Sequence, residues 1–158
     1  LPGDSQIEFT TVRGWDFPDG TVLVKTFALD LEAGNPASKH RIETRLLTRQ
    51  EGEWVGYSYV WNDKQTNATL VHRTGMDRVF TIRDSRSPGG IREQTWHYPS
   101  RAECMVCHTR AANFVLGLTV LEMNKAHDYG HASDNQLRTL DGICVFTQHA
   151  AAASRDVP

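Results

Sequence analysis

The sequence has no excess of positive charge and no long apolar run. Its 17 lysine and arginine residues are balanced by 19 aspartate and glutamate residues, which gives a formal net charge of -2. A protein held on nucleic acid by phosphate contacts needs a basic face, and this balance argues against one. No apolar stretch approaches the roughly 18 residues that a membrane-spanning helix requires. We therefore expect no nucleic-acid partner and no membrane span in this chain.

Disorder is also not expected from the composition. Hydrophobic residues make up 39% and charged residues 23% of the 158 residues, which is typical of a globular protein. We predict one domain over residues 1–149, followed by a tail or linker over 150–158. The chain begins Leu1-Pro2-Gly3 without an initiator Met. From this start we expect a processed mature protein or a domain cut from a longer one.

Cysteine is scarce, but its placement is the most informative feature of the sequence. Two of the three cysteines lie in the segment Cys104-Met105-Val106-Cys107-His108, which has the pattern Cys-x-x-Cys-His. Covalent attachment of haem requires two thiols about one helical turn apart, followed by a histidine that binds the iron. The motif therefore predicts one haem c, with Cys104 and Cys107 as thioether anchors and His108 as the proximal axial ligand.

Two other chemistries fit parts of this motif. Cys104, Cys107, His108 and the distant Cys144 could form a zinc site, although the adjacent Cys107 and His108 cannot easily both point at one tetrahedral ion. A redox-active dithiol would need a βαβ setting, which the sequence does not indicate. If haem takes the motif, we expect Cys144 to be a small buried apolar residue. Its alternatives are an intermolecular disulfide and an iron thiolate.

The residue pattern predicts an α+β fold, with an N-terminal antiparallel β-sheet followed by a helical C-terminal haem-binding segment. The β-rich part covers residues 8–98 and the helical part covers 99–146. Ser100 and Glu103 form a capping box at the start of the helix that carries the motif. Predicted strands cover 20–27, 41–48, 54–61, 68–71, 78–82 and 94–98, and predicted helices cover 100–109, 114–125 and 134–140.

The sixth iron ligand determines the chemistry, because an iron with both axial sites filled transfers electrons and an open iron binds small molecules. His97 and Met123 are the two candidates. His97 precedes the motif on an extended segment, and its alternative is a strand-end histidine bonded to backbone. Met123 is otherwise a core residue of a helix. We expect His127 and His131 to be solvated.

Aromatic and basic residues near the motif have more than one interpretation. Trp54, Tyr57, Tyr59 and Trp61 are expected to form sheet core, with a porphyrin wall or a sugar-stacking platform as the alternatives. Tyr57, Tyr59 and Trp61 share one strand face by their spacing. Arg101 and Arg110 bracket the motif and either pair with haem propionates or are solvated.

Four segments outside the haem motif carry a resemblance to a known family: 17–25 (FPDGTVLVK), 43–47 (ETRLL), 59–62 (YVWN) and 96–100 (WHYPS). With the motif they resemble a family of exported c-type cytochrome domains, often fused to sugar-dehydrogenase-like or other cytochrome modules. The resemblance covers most of the chain from Trp15 to Phe146. It implies a single haem, electron transfer, and a periplasmic or extracellular location. The implied partner is a redox protein or a fused dehydrogenase or cytochrome module.

A weaker resemblance lies in the early segment Gly-Thr-Val-x-Val-Lys and in Ala-x-x-Phe-Val after the motif. These are similar to β-sheet cytochromes that oxidise hydroxylamine or bind nitric oxide. In that group the iron is five-coordinate and a lysine can be cross-linked to the haem, which would correspond to Lys25 here. The alternative function is therefore a five-coordinate haem enzyme or a gas-binding protein.

Overall fold

The computed structural model describes residues 1–148 and shows an α+β fold of antiparallel sheets and short helices. His149 and the predicted tail over 150–158 lie outside the described residues. No helix within residues 1–148 is long and apolar enough to cross a membrane. The strands are β1 (Val22–Asp30), β2 (Lys39–Gln50), β3 (Glu53–Trp61), β4 (Ala68–Leu70), β5 (Met76–Arg83), β6 (Ile91–Tyr98), β7 (Ala126–Asp128) and β8 (Ser133–Asn135). The α-helices are α1 (Arg101–Cys107), α2 (Val120–Met123) and α3 (Gln136–Gly142).

The main sheet has four strands in the order β1-β2-β3-β4, and β5-β6 and β7-β8 form separate hairpins. Val22 pairs with Thr48 at the start of β1, and a bulge after Phe27 shifts the register before the strand ends. Glu51 (φ 53°) and Gly52 (φ 80°) adopt left-handed conformations and form the turn that connects β2 to β3. The predicted strands before residue 99, and this hairpin, are confirmed.

The chain forms two compact units. One unit contains residues 22–48 and 55–105, and its buried apolar side chains include Ile42, Phe80 and Tyr98. The other unit contains residues 1–21, 49–54 and, within the described part of the chain, 106–148. The boundary falls inside α1, between Met105 and Val106. The extent of a single domain over 1–149 stays a prediction.

Aromatic rings make up much of the core in the unit that contains both the N-terminal segment and the chain after Val106. Phe9, Trp15 and Phe146 form a cluster with ring centroids 4.9–5.8 Å apart. Backbone hydrogen bonds connect the same two segments, since the Ile7 N–H donates to the Val145 carbonyl at 2.8 Å. Aromatic pairs of this kind supply a large buried area, and they fix the N-terminal residues beside Val145 and Phe146.

The region after Pro99 is less helical than its sequence predicts. The predicted helix over 114–125 is wrong, because only Val120–Met123 is α-helical. Asn113 (φ 51°), Phe114 (φ 60°) and Gly117 (φ 82°) adopt left-handed conformations that a right-handed helix does not accept. The hairpin β7-β8 was also not predicted. The helix predicted over 134–140 is observed as α3, whose N-cap Asn135 accepts from the Arg138 N–H through its side-chain oxygen at 3.1 Å.

Candidate functional site

The cysteine motif lies at the end of the short helix α1. The predicted capping box is confirmed, because the Glu103 carboxylate accepts from the Ser100 N–H at 2.7 Å and the Ser100 hydroxyl accepts from the Glu103 N–H at 3.1 Å. Cys104 and Cys107 are three residues apart on this helix, a spacing that places side chains on one helical face. Both are free thiols, Cys104 half-buried and Cys107 exposed.

Cys104 packs against the backbone of β3 at Gly56, where any larger residue would push the cysteine away. A Cβ added at Gly56 would lie 2.6 Å from the Cys104 Cβ and 2.8 Å from its Sγ, both well inside van der Waals contact. Burial is the main cause that raises the pKa of the Cys104 thiol. The charge of Arg45 opposes this shift and that of Glu43 adds to it. The thiol is therefore protonated near neutral pH.

A buried carboxylate organises the sheet in the unit that contains Cys104. The Glu43 side chain is fully buried and accepts from the Arg45 guanidinium at 2.7 and 2.9 Å. The Ser58 hydroxyl donates to it at 2.8 Å and the Trp96 indole N–H at 2.9 Å. These four contacts compensate the cost of burying the charge. Sequence spacing gives no signal for this network, because its donors come from three different strands.

His108, the first residue after α1, is oriented by a backbone carbonyl. Its Nδ1 lies 2.5 Å from the Phe114 oxygen, and since a carbonyl only accepts, Nδ1 carries the proton. The other ring nitrogen, Nε2, then has a free lone pair. Among the hydrogen bonds of residues 1–148, none uses that nitrogen. Metal-binding histidines show this arrangement, with one nitrogen donating to a carbonyl and the other free to bind the metal.

The candidate sixth ligand His97 has both ring nitrogens engaged. Nδ1 lies 2.6 Å from an Asp77 oxygen, and Nε2 lies 3.2 Å from both Glu103 oxygens. The hydrogen bond to Asp77, followed by that to Glu103, raises the pKa of His97. The pKa of Glu103 is lowered to about 2, chiefly by its hydrogen bonds with Ser100 and then with His97. His97 therefore lies in an exposed three-residue ion-pair cluster.

The remaining candidate iron ligands, and the lysine that could be cross-linked to haem, lie on short elements or at the surface. Met123 is the last residue of α2 and is half-buried. His127 and His131 are exposed, as predicted. Lys25 is exposed on β1, with its Nζ 5.0 Å from the centre of the Phe27 ring. The choice of sixth ligand, and any cross-link at Lys25, stay predictions.

The aromatic residues of β3 do not share a single face. Trp54 is buried, as expected of a core residue, and strand alternation places it opposite the half-buried Tyr57, Tyr59 and Trp61. The Arg101 guanidinium lies 4.8 Å from the Tyr57 ring centre. A second guanidinium, from Arg41, lies 3.7 Å from the ring centre of Trp61. Cations cover these two rings, which disfavours the sugar-stacking platform. Arg110 is exposed.

The structure does not support the two alternatives to haem. Within residues 1–148, no three His, Cys, Asp or Glu side chains come together as a metal site, so the four-residue zinc set is not assembled. The pairs β1-β2, β3-β4, β5-β6 and β7-β8 are antiparallel, which differs from the βαβ setting of a dithiol motif. The expectation that Cys144 is buried is wrong: it is exposed, with a left-handed φ of 58°.

Comparison of this chain with protein-family models, with curated proteins and with solved structures finds no match. The motif presents two free thiols, Cys104 and Cys107, and a histidine whose Nδ1 donates to the Phe114 carbonyl.

Proposed function

We propose that this chain is a monohaem c-type cytochrome domain that transfers electrons outside the cytoplasm. The observation that carries the proposal is the hydrogen bond from His108 Nδ1 to the Phe114 carbonyl, which leaves Nε2 free to bind iron. This orientation of the ring is a feature that the Cys-x-x-Cys-His pattern alone does not specify.

Cys104 and Cys107 would hold the group through two thioether bonds. Both thiols are free, and their spacing on α1 suits the two vinyl groups of one porphyrin. Each thioether would form by addition of a cysteine S–H across a vinyl double bond, in which the sulfur bonds to one carbon and the hydrogen to the other. His108 would complete the attachment from the residue that follows the helix. The helical haem-binding segment is thus proposed for α1 and the turn after it.

A haem bound here would supply reversible one-electron chemistry at its iron. The chain's own residues would fix the group by two covalent bonds and orient one axial ligand. Haem c is assembled outside the cytoplasm, so the proposed location is periplasmic or extracellular. The proposed partner is a redox protein, or a fused dehydrogenase or cytochrome module, that docks through a weak and transient contact.

A second function, an open five-coordinate iron that binds or oxidises a small molecule, is favoured by one observation. The two carboxylates around His97 hold both of its nitrogens, which removes one of the two candidate sixth ligands unless the cluster opens. An iron without a sixth ligand would resemble the hydroxylamine-oxidising β-sheet cytochromes. The exposed Lys25 on β1 would then be the residue to examine for a cross-link.

Haem staining after denaturing electrophoresis tests the attachment. The chain is expressed with an export signal in a host that matures c-type cytochromes, as the native sequence and as the variants Cys104→Ala/Cys107→Ala and Cys144→Ala. We expect a stained band for the native chain and for Cys144→Ala, which changes an exposed thiol outside the motif. Loss of the stain is expected for the double variant. Equal staining of all three chains would show that the haem is not held by this motif.

A further inference from the structure

We infer that Asn113 is a positioning residue for His108, acting through the carbonyl of Phe114. Asn113 does not contact the histidine ring itself. It sets the backbone that presents the Phe114 oxygen, and that oxygen lies 2.5 Å from His108 Nδ1. The hydrogen bond is observed in the structure itself, whereas its effect on iron binding by His108 rests on the proposed function.

The turn that presents this carbonyl is conformationally demanding. It begins at Thr109, whose hydroxyl accepts from the Ala112 N–H at 3.3 Å, and it closes where the Phe114 N–H donates to the Thr109 carbonyl at 2.8 Å. Asn113 (φ 51°) and Phe114 (φ 60°) follow each other in the left-handed region. Asparagine tolerates this region better than most residues, whereas phenylalanine does not. The surroundings must therefore hold Phe114 in place.

The Asn113 side chain supplies that hold. Its Nδ2 donates to the Gly14 carbonyl at 2.9 Å, to the Asp16 carboxylate at 2.8 Å and, at 3.2 Å, to the Trp15 carbonyl. The segment that accepts these hydrogen bonds, residues 14–16, is held in place because the Trp15 side chain is 1% exposed in the aromatic core. Gly14 is also packed against this region, since a Cβ there would lie 3.3 Å from the Val115 carbonyl oxygen.

These contacts form a continuous path from the core to the histidine. The N-terminal segment holds the Asn113 amide, Asn113 fixes the turn, and the Phe114 carbonyl fixes the proton on His108 Nδ1. A fixed Nδ1–H keeps the ring in one tautomer and makes Nε2 a more basic ligand. Without the anchor, Phe114 would relax from its strained conformation, and the His108 ring would turn and exchange tautomers.

Histidine NMR on the full chain without haem is the first test. In the native chain labelled with ¹⁵N-histidine, we expect His108 to show the Nδ1–H tautomer, with its signals identified by their loss in His108→Asn. Asn113→Val disfavours the left-handed backbone and removes the amide, so we expect loss of that tautomer signature. Asn113→Gly keeps the backbone freedom but loses the anchor, and we expect a mixture of tautomers. Asn67→Val, at an exposed residue of the other unit, is the control and should match the native chain.

The haem-loaded chain gives the second readout. We expect the reduction potential to rise in Asn113→Val and, by less, in Asn113→Gly, because a less basic imidazole stabilises the oxidised iron less. Circular dichroism shows whether each variant is folded. If Asn113→Val does not fold, Asn113→Gly alone tests the role of the Asn113 side chain. A native chain that never takes up haem would refute the proposed function and leave the NMR test standing. An Nε2–H tautomer in the native chain, or an unchanged tautomer in Asn113→Gly, would overturn the role of Asn113.

Discussion

Gly56 lies directly against Cys104, so close that a Cβ on the glycine would fall 2.6 Å from the cysteine Cβ. The glycine is in a strand conformation without a positive φ, so the requirement is one of space. The contact seats the half-buried Cys104 on β3 and thereby places the N-terminal part of α1. It explains why a glycine interrupts a strand that is otherwise rich in aromatic and β-branched residues.

Gly56→Ala is expected to destabilise the protein by about 1–3 kcal/mol, because the extra methyl group forces α1 away from β3. Urea unfolding followed by tryptophan fluorescence measures the change. Gly142→Ala is the comparison: an added Cβ there meets nothing within 4 Å, and the residue ends α3, so this variant should be as stable as the native chain or slightly more stable. If both variants unfold at the same urea concentration, the contact with Cys104 does not limit the packing.

Glu43→Ala is expected to cost about 3 kcal/mol, the low end for breaking a buried ion pair, since Arg45 remains 37% exposed. Trp96 and Ser58 would also lose their acceptor. The measurement is the free energy of unfolding in urea. For comparison, Glu32→Ala breaks a surface pair with Arg83 and should change stability far less. Similar losses in the two variants would contradict the importance of the buried network.

The His97 cluster predicts a defined pH dependence of stability. The raised pKa of His97 means that its contribution is fully present below its ordinary pKa of 6.5 and is lost as the pH rises through its folded value. Glu103, with a pKa of about 2, contributes above its ordinary 4.5 and loses that contribution as the pH falls through about 2. Both contributions are therefore present together between pH 4.5 and 6.5.

We expect the unfolding midpoint of His97→Gln to lie furthest below that of the native chain in this window, and the difference to shrink at higher pH. Urea titrations of both proteins at a series of pH values check the sign. His131→Gln, which alters an exposed histidine, serves as the control and should track the native chain at every pH. A difference that grows with pH would show that the carboxylates do not stabilise protonated His97.

The electron-transfer proposal predicts a sharp reduced α band and slow binding of carbon monoxide, both of which indicate two axial ligands. Met123→Ala should then broaden the band and admit carbon monoxide, whereas His97→Ala should change neither, because both nitrogens of His97 are held by carboxylates. Optical spectra of the oxidised and dithionite-reduced chains provide the measurement. Rapid carbon monoxide binding by the native chain would instead favour the open-iron function.

The parts of this fold that could be predicted from sequence are those fixed by near neighbours. The capping box between Ser100 and Glu103 spans three residues, and the turn at Gly52 has strands of clear period on each side. The helix predicted over 114–125 failed because Phe114, a residue with no preference for left-handed backbone, is held there by contacts of its neighbour with residues almost a hundred positions away.

The candidate site also has residues that the sequence predicts and contacts that it does not. Cys104, Cys107 and His108 stand out in the sequence because their spacing is itself the chemical signal. The carbonyl that orients His108 carries no such signal, since any residue at position 114 has one. The exposed Cys144 was misjudged because its apolar neighbours Ile143 and Val145 suggested burial, although the chain turns through a left-handed residue there.

Covalent attachment of one haem to Cys104 and Cys107 can be read from the mass of the chain. Intact mass spectrometry of the denatured chain, exported in a host that matures c-type cytochromes, is the measurement. We expect the polypeptide mass plus one haem, reduced to the polypeptide mass alone when both cysteines are replaced by alanine. A native chain that carries no added haem mass, in a host that loads a known c-type cytochrome under the same conditions, would contradict it.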